Sequence, residues 1–188
     1  MLLKNVHNMS KITKRFLLGL LAVLVIIQFF RIDKTNPPVD ASQEFIALVA
    51  PPADVSKILK DACYDCHSHE TAFPWYTNVA PVSWWIANHI EEGRRHLNFS
   101  VWGTYAPKKQ AHKAEECAEE VKKGEMPLST YTPMHPEARL TNEQRTRLAE
   151  WFMALSTSQD ISGRVRESAS DALPEVEGEA AEHEHEHE

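Results

Sequence analysis

Two cysteines and a histidine in one run of five residues, Cys63-Tyr64-Asp65-Cys66-His67, constrain this chain more than any other feature. The spacing C-x-x-C-H is the attachment signature of a c-type haem. Two thiols three positions apart lie along one side of a helical turn and can add to the two vinyl groups of one haem. The next residue, His67, is then held against the iron as proximal ligand. Two other chemistries use such cysteines. A redox dithiol would sit in a βαβ context, which is missing here. A structural zinc site would need Cys117 and a histidine to complete four ligands.

The 188 residues leave room for one domain plus appendages. The net charge of −7 resides in the last stretch: residues 161–188 carry 9 acidic and 2 basic side chains, while residues 1–160 carry 18 of each. No basic face of the kind that binds nucleic acid follows from this pattern.

Lys4, Lys11, Lys14 and Arg15 precede an apolar run from Phe16 to Phe30, interrupted only by Gln28. Counted from Ile12 to Ile32 with its flanking cations snorkelling, the run gives a helix of about 31 Å, enough to cross a bilayer. No A-x-A-like cleavage site follows it, so residues 1–32 read as an uncleaved single-pass anchor with the basic end in the cytoplasm and the remainder outside. Residues 33–44, with Pro37-Pro38, read as a linker, residues 45–156 as the folded domain, and residues 157–188 as a disordered acidic tail. The tail ends in alternating His and Glu, a composition that binds divalent metal weakly at best.

The domain reads as all-α, with no period-2 strand pattern. A short helix from Val55 to Ala62 delivers Cys63. Pro81 opens a second helix whose apolar face holds Val82, Trp85, Ile86, His89, Ile90 and Leu97, with Gly93 and His96 beside them. Pro107 opens a third, with Ala111, Ala114, Ala118 and Val121 on one stripe, ended by Lys122-Lys123-Gly124. Thr141 and Gln144 form a capping box for a last helix with Leu148, Trp151, Phe152 and Leu155 inward. A short helix before the haem turn and an amphipathic helix packed across it is the layout of small c-type cytochromes, an analogy of fold only.

Met126 is the first choice for the second axial ligand of the iron. Pro127 biases it to an extended backbone that can project the thioether from its loop, and a His/Met pair raises the reduction potential. His89 and His96, seven residues apart on one helix face, are alternatives, as are Met134 and His135 before Pro136, or an open sixth position. Trp75, Tyr76, Trp84 and Trp85 read either as a water-excluding wall against the cofactor or as an ordinary aromatic core, and Arg94 or Arg95 could hold its propionates. Cys117 reads most simply as a small apolar core residue.

Several further runs join the attachment motif: Phe73-Pro74-Trp75-Tyr76, Ala80-Pro81-Val82-Ser83-Trp84-Trp85, Leu97-Asn98-Phe99-Ser100, Gly124-Glu125-Met126-Pro127 and Tyr131 to His135-Pro136. Together they resemble the bacterial haem-binding domain family, a c-type-cytochrome-like family often found behind a membrane anchor, over roughly residues 45–155. The resemblance implies one covalent haem c on Cys63, Cys66 and His67. It also implies a bacterial inner-membrane protein with its domain facing the periplasm. The expectation is an electron carrier serving redox partner proteins rather than an enzyme. The rival is a haem-based sensor or peroxidase-like enzyme with an exchangeable sixth ligand.

Overall fold

The computed structural model describes residues 10–171, with side chains as far as Arg164. The described residues form seven α-helices and three short 3-10 turns, with no strand among them. The His/Glu run and most of the expected acidic tail lie outside the described residues.

Helix α1 spans Lys11–Ile27 and starts at Ser10, whose hydroxyl accepts a hydrogen bond from the Thr13 N–H. It buries no residue. Phe16, Leu18, Val23 and Ile26 are each more than half exposed. The helix stops at Ile27 rather than continuing to Ile32, because Gln28 turns onto the domain. Its Nε2 donates to the Ala80 carbonyl and its Oε1 accepts from the Ala80 N–H, both at 3.0 Å. At 17 residues α1 is about 26 Å long. No helix among the described residues is long and apolar enough to cross a membrane.

The segment expected to be a linker is laid along the domain as a strap. Lys34 Nζ donates to Asn78 Oδ1, and Asn36 Nδ2 donates to the Thr71 carbonyl. Asn36 Oδ1 accepts from Arg94 Nη2, and the Pro38 carbonyl accepts from His69 Nδ1–H. At its far end the Gln43 carbonyl accepts from the Gly103 N–H. The Pro-rich composition indicates extended backbone, and extended backbone leaves its donors and acceptors free to pair with a neighbouring surface.

Helix α2, Phe45–Val49, is capped by the Glu44 carboxylate, which accepts from the Ala47 N–H. It is too short to show periodicity, yet it carries the central core residue. Phe45 is fully buried, edge-on to Trp102 and Trp151 and tilted against Phe99 and Phe152. Helices α3, Ala53–Ala62, and α4, Tyr64–His67, meet at Cys63, which is the C-cap of one and the N-cap of the other. Helix α5 is Val82–His96, α6 Pro107–Lys123 and α7 Asn142–Asp171.

The stripe Ala111, Ala114, Ala118 and Val121 is buried and lets α6 lie close along α7, which buries Leu148, Phe152 and Leu155 towards it. The capping box forms: the Thr141 N–H donates to Gln144 Oε1, and the Gln144 N–H to Thr141 Oγ1. Helix α7 does not stop at Ser156. It continues to Asp171, so residues 157–171 are helical where the sequence suggests disorder. The extension packs closely, with a Cβ at Gly163 lying 3.2 Å from the Pro107 side chain. The face assigned to α5 is half right. Ile90 is buried, but Val82 and Trp85 are 44% and 46% exposed.

Candidate haem site

The Cys63–His67 turn is held from several sides. The Cys63 carbonyl accepts from the N–H groups of Cys66 and His67, and the Cys63 N–H donates to Leu59. Tyr64 is buried, stacked on Phe99, and its hydroxyl donates to the Glu44 carboxylate. Asp65, between the cysteines, accepts from the Ala72 N–H with one carboxylate oxygen and from the Tyr131 hydroxyl, at 2.7 Å, with the other. Ser68 closes the turn by donating to the Tyr64 carbonyl. Helix α5 lies directly on this turn. A Cβ at Gly93 would stand 2.7 Å from the Cys66 carbonyl oxygen, so only glycine permits the approach.

That approach places the α5 C-terminus against His67. The ring Nδ1 lies 3.0 Å from the Gly93 carbonyl and 3.1 Å from the Leu97 carbonyl. Carbonyls only accept, so Nδ1 carries the proton and Nε2 keeps its lone pair. A backbone carbonyl on the far nitrogen is the usual way a metal-binding histidine is oriented. Burial lowers the His67 pKa below its ordinary value, which keeps the ring neutral and able to donate.

Beside this turn is a cavity of about 630 Å³, within the roughly 300–1,000 Å³ range of cofactor pockets. Cys63, Cys66 and His67 line one part of it. Leu97, Phe99, Val121, Leu128 and Phe152 give it apolar walls. Burial pushes the Cys63 thiol up to about 12 and the Cys66 thiol up to about 11, so both are neutral at ordinary pH. An apolar cavity of this size, with two thiols and one oriented imidazole at its wall, has the volume and the donor set for a haem.

Of the residues considered for the sixth position, Met126, His89 and His96 also line the cavity. Met126 is pinned in its loop: its N–H donates to the Glu120 carbonyl, and its own carbonyl accepts from Arg145 Nη1 at 3.1 Å. Gly124, at φ +83°, makes the turn that brings the chain off α6 to Met126. Met134 and His135 are not brought there. Met134 is exposed, and His135 is buried between the Tyr76 hydroxyl and the Glu137 carboxylate, stacked on Tyr131.

The aromatic wall expected at Trp75, Tyr76, Trp84 and Trp85 is not part of the cavity, and the three tryptophans are exposed rather than packed in a core. Arg94 is occupied by the Ser68 carbonyl, Asn36 and Thr71, while Arg95 pairs with Glu92 at the surface. Cys117 packs against the core, as its sequence position suggests, and is also a wall residue of the cavity. Its position one helical turn before Val121 and one after Ala114 was the available signal. Among the described residues no three His, Cys, Asp or Glu side chains converge to hold a metal ion.

A helical frame that presents an oriented histidine and two thiols to an apolar cavity defines a protein built to hold a haem. The comparison with known families agrees: the chain belongs to the haem-binding domain family, whose model matches residues 22–154. The match starts inside α1 and covers the strap, upstream of residue 45 where the resemblance in the sequence begins. No curated protein and no solved structure matches the chain.

Proposed function

We propose that this protein binds one c-type haem covalently through Cys63 and Cys66, and that it carries electrons on the outer face of a membrane. The observation that carries the reading is the single cavity lined by both thiols, by His67 and by Met126. Bound there, haem supplies a one-electron couple at its iron. The chain does the rest. Gly93 and Leu97 fix the tautomer and plane of His67. Arg145 and Glu120 hold the Met126 loop against the same cavity, and Phe99 and Phe152 exclude water from it. Exposed Glu92 and Glu119 are among the lining residues and offer a redox partner an acidic approach.

Membrane anchoring belongs to the same reading. An apolar helix with no buried residue needs an apolar environment that the domain does not provide. Helix α1 is a few ångströms short of a hydrocarbon core of about 30 Å, a mismatch bilayers absorb by thinning or by snorkelling of flanking cations. The basic residues at its N-terminal side put the domain outside, in the bacterial periplasm.

The rival is a sensor or peroxidase-like enzyme, for which His89 and His96 in the cavity lining would supply an acid–base group. Carbon monoxide and a redox titration test the choice. A carrier shows a reversible one-electron couple and a ferrous form that refuses carbon monoxide. Rapid, tight carbon monoxide binding would overturn the carrier reading in favour of an exchangeable site.

A further inference from the structure

The N-terminal half of α5 carries apolar side chains that the domain covers only in part. Val82, Trp84 and Trp85 are exposed there, and Val79, just before the helix, is 42% exposed. On the other side of the same surface run Phe29 and Phe30, 81% and 64% exposed. The two groups are joined by hydrogen bonds: the paired bonds of Gln28 with Ala80, and the Trp84 indole N–H, which donates to the Phe30 carbonyl at 2.8 Å. Only Gln28 separates Phe29 from the last residue of α1. Exposed Arg31 follows immediately.

We propose that this surface is a bilayer-docking face, on which Phe29, Phe30, Val79, Val82, Trp84 and Trp85 sit at the headgroup level of the outer leaflet. The proposal rests on the anchor reading of α1 and goes beyond it: the domain lies clamped on the membrane instead of hanging from a tether. The occupant follows from continuity. A face rigidly bonded to the end of a membrane-inserted helix lies where that helix emerges. Indole rings with an apolar body and a polar edge are the side chains that collect at this depth. The strap removes the slack that would let the domain leave, because it is fastened at Asn78, Thr71, Arg94 and His69.

The test uses the full haem-loaded chain in phosphatidylcholine vesicles with or without bromine on the upper acyl carbons, a quencher that acts on contact. Helix α1 contains no tryptophan, so quenching reports the domain alone. Transfer to the cofactor lowers emission in both lipids, so contact with bromine is read as a brominated-to-plain emission ratio below one. The expected result is flotation with the vesicles and a large loss of emission in brominated lipid. That loss should shrink several-fold in the variant carrying Trp84→Phe and Trp85→Phe, whose remaining tryptophans include buried Trp102. Flotation without quenching, or quenching equal in the variant, would overturn the docking face while leaving the anchor standing. Failure to float would overturn the anchor reading, and the docking face with it. Haem absorbance and far-ultraviolet dichroism equal to the parent protein establish that the variant is folded.

Discussion

Gly93 and Cys66 stand so close that a single added methyl group at Gly93 would lie 2.7 Å from the Cys66 carbonyl oxygen. This contact sets the distance between α5 and the Cys63–His67 turn. Through it, the Gly93 carbonyl reaches His67. Orientation of the histidine therefore depends on a residue with no side chain.

Gly93→Ala is expected to cost about 1–3 kcal/mol, the range for forcing a methyl into a packed contact, and to lower the haem content of the purified protein. Denaturant unfolding and the haem-to-protein absorbance ratio check it. Gly19→Ala, where nothing lies within 4 Å, should leave both unchanged.

Met126→Ala is expected to remove the methionine-to-iron absorption band at the red end of the ferric spectrum. It should also lower the reduction potential by about 0.1–0.2 V, within the roughly 0.8 V that axial ligands span. His89→Ala and His96→Ala should leave the band in place. A band that survives Met126→Ala would reassign the ligand.

Tyr131→Phe deletes the hydroxyl that donates to Asp65 at 2.7 Å and leaves the carboxylate only its bond from Ala72. The expected loss is about 1.5–3 kcal/mol, typical of a hydrogen bond to a charged group, read by urea unfolding.

Cys117 lies outside the C-x-x-C-H run and is a free thiol. Burial raises its pKa above the ordinary thiol value. At pH 8 iodoacetamide should therefore react with the folded protein far more slowly than with the urea-unfolded chain. The sign for stability follows. Above about pH 8.5 the unfolded thiol loses its proton while the folded one keeps it, so the unfolded state binds fewer protons and this group's contribution to stability falls as pH rises. Cys117→Ser should flatten that part of the profile.

What the sequence made legible was local chemistry. The alanine stripe of α6, the Gly124 stop and the Thr141/Gln144 box are each short-range patterns, and each forms as read. What escaped depends on partners far apart in the chain. Gln28 ends α1 by pairing with Ala80, 52 positions away, and no periodicity signals such a bond. Composition made 33–44 look like a tether, because Pro and polar residues suit a free segment and a docked strap equally. The periodicity of Val82 and Trp85 suggests a core face, but periodicity states only that a face is apolar, not what covers it. The continuation of α7 past Ser156 was hidden by polar residues that helix packing at Gly163 overrides.

Covalent haem on Cys63 and Cys66 is read from a pyridine haemochrome spectrum of the protein made with c-type maturation machinery. The expected result is a thioether-type spectrum that stays with the chain through denaturation and acid–acetone extraction, and that shifts towards the single-thioether form in Cys63→Ala. Absence of haem after correct export and maturation, or haem that extracts freely, would contradict it.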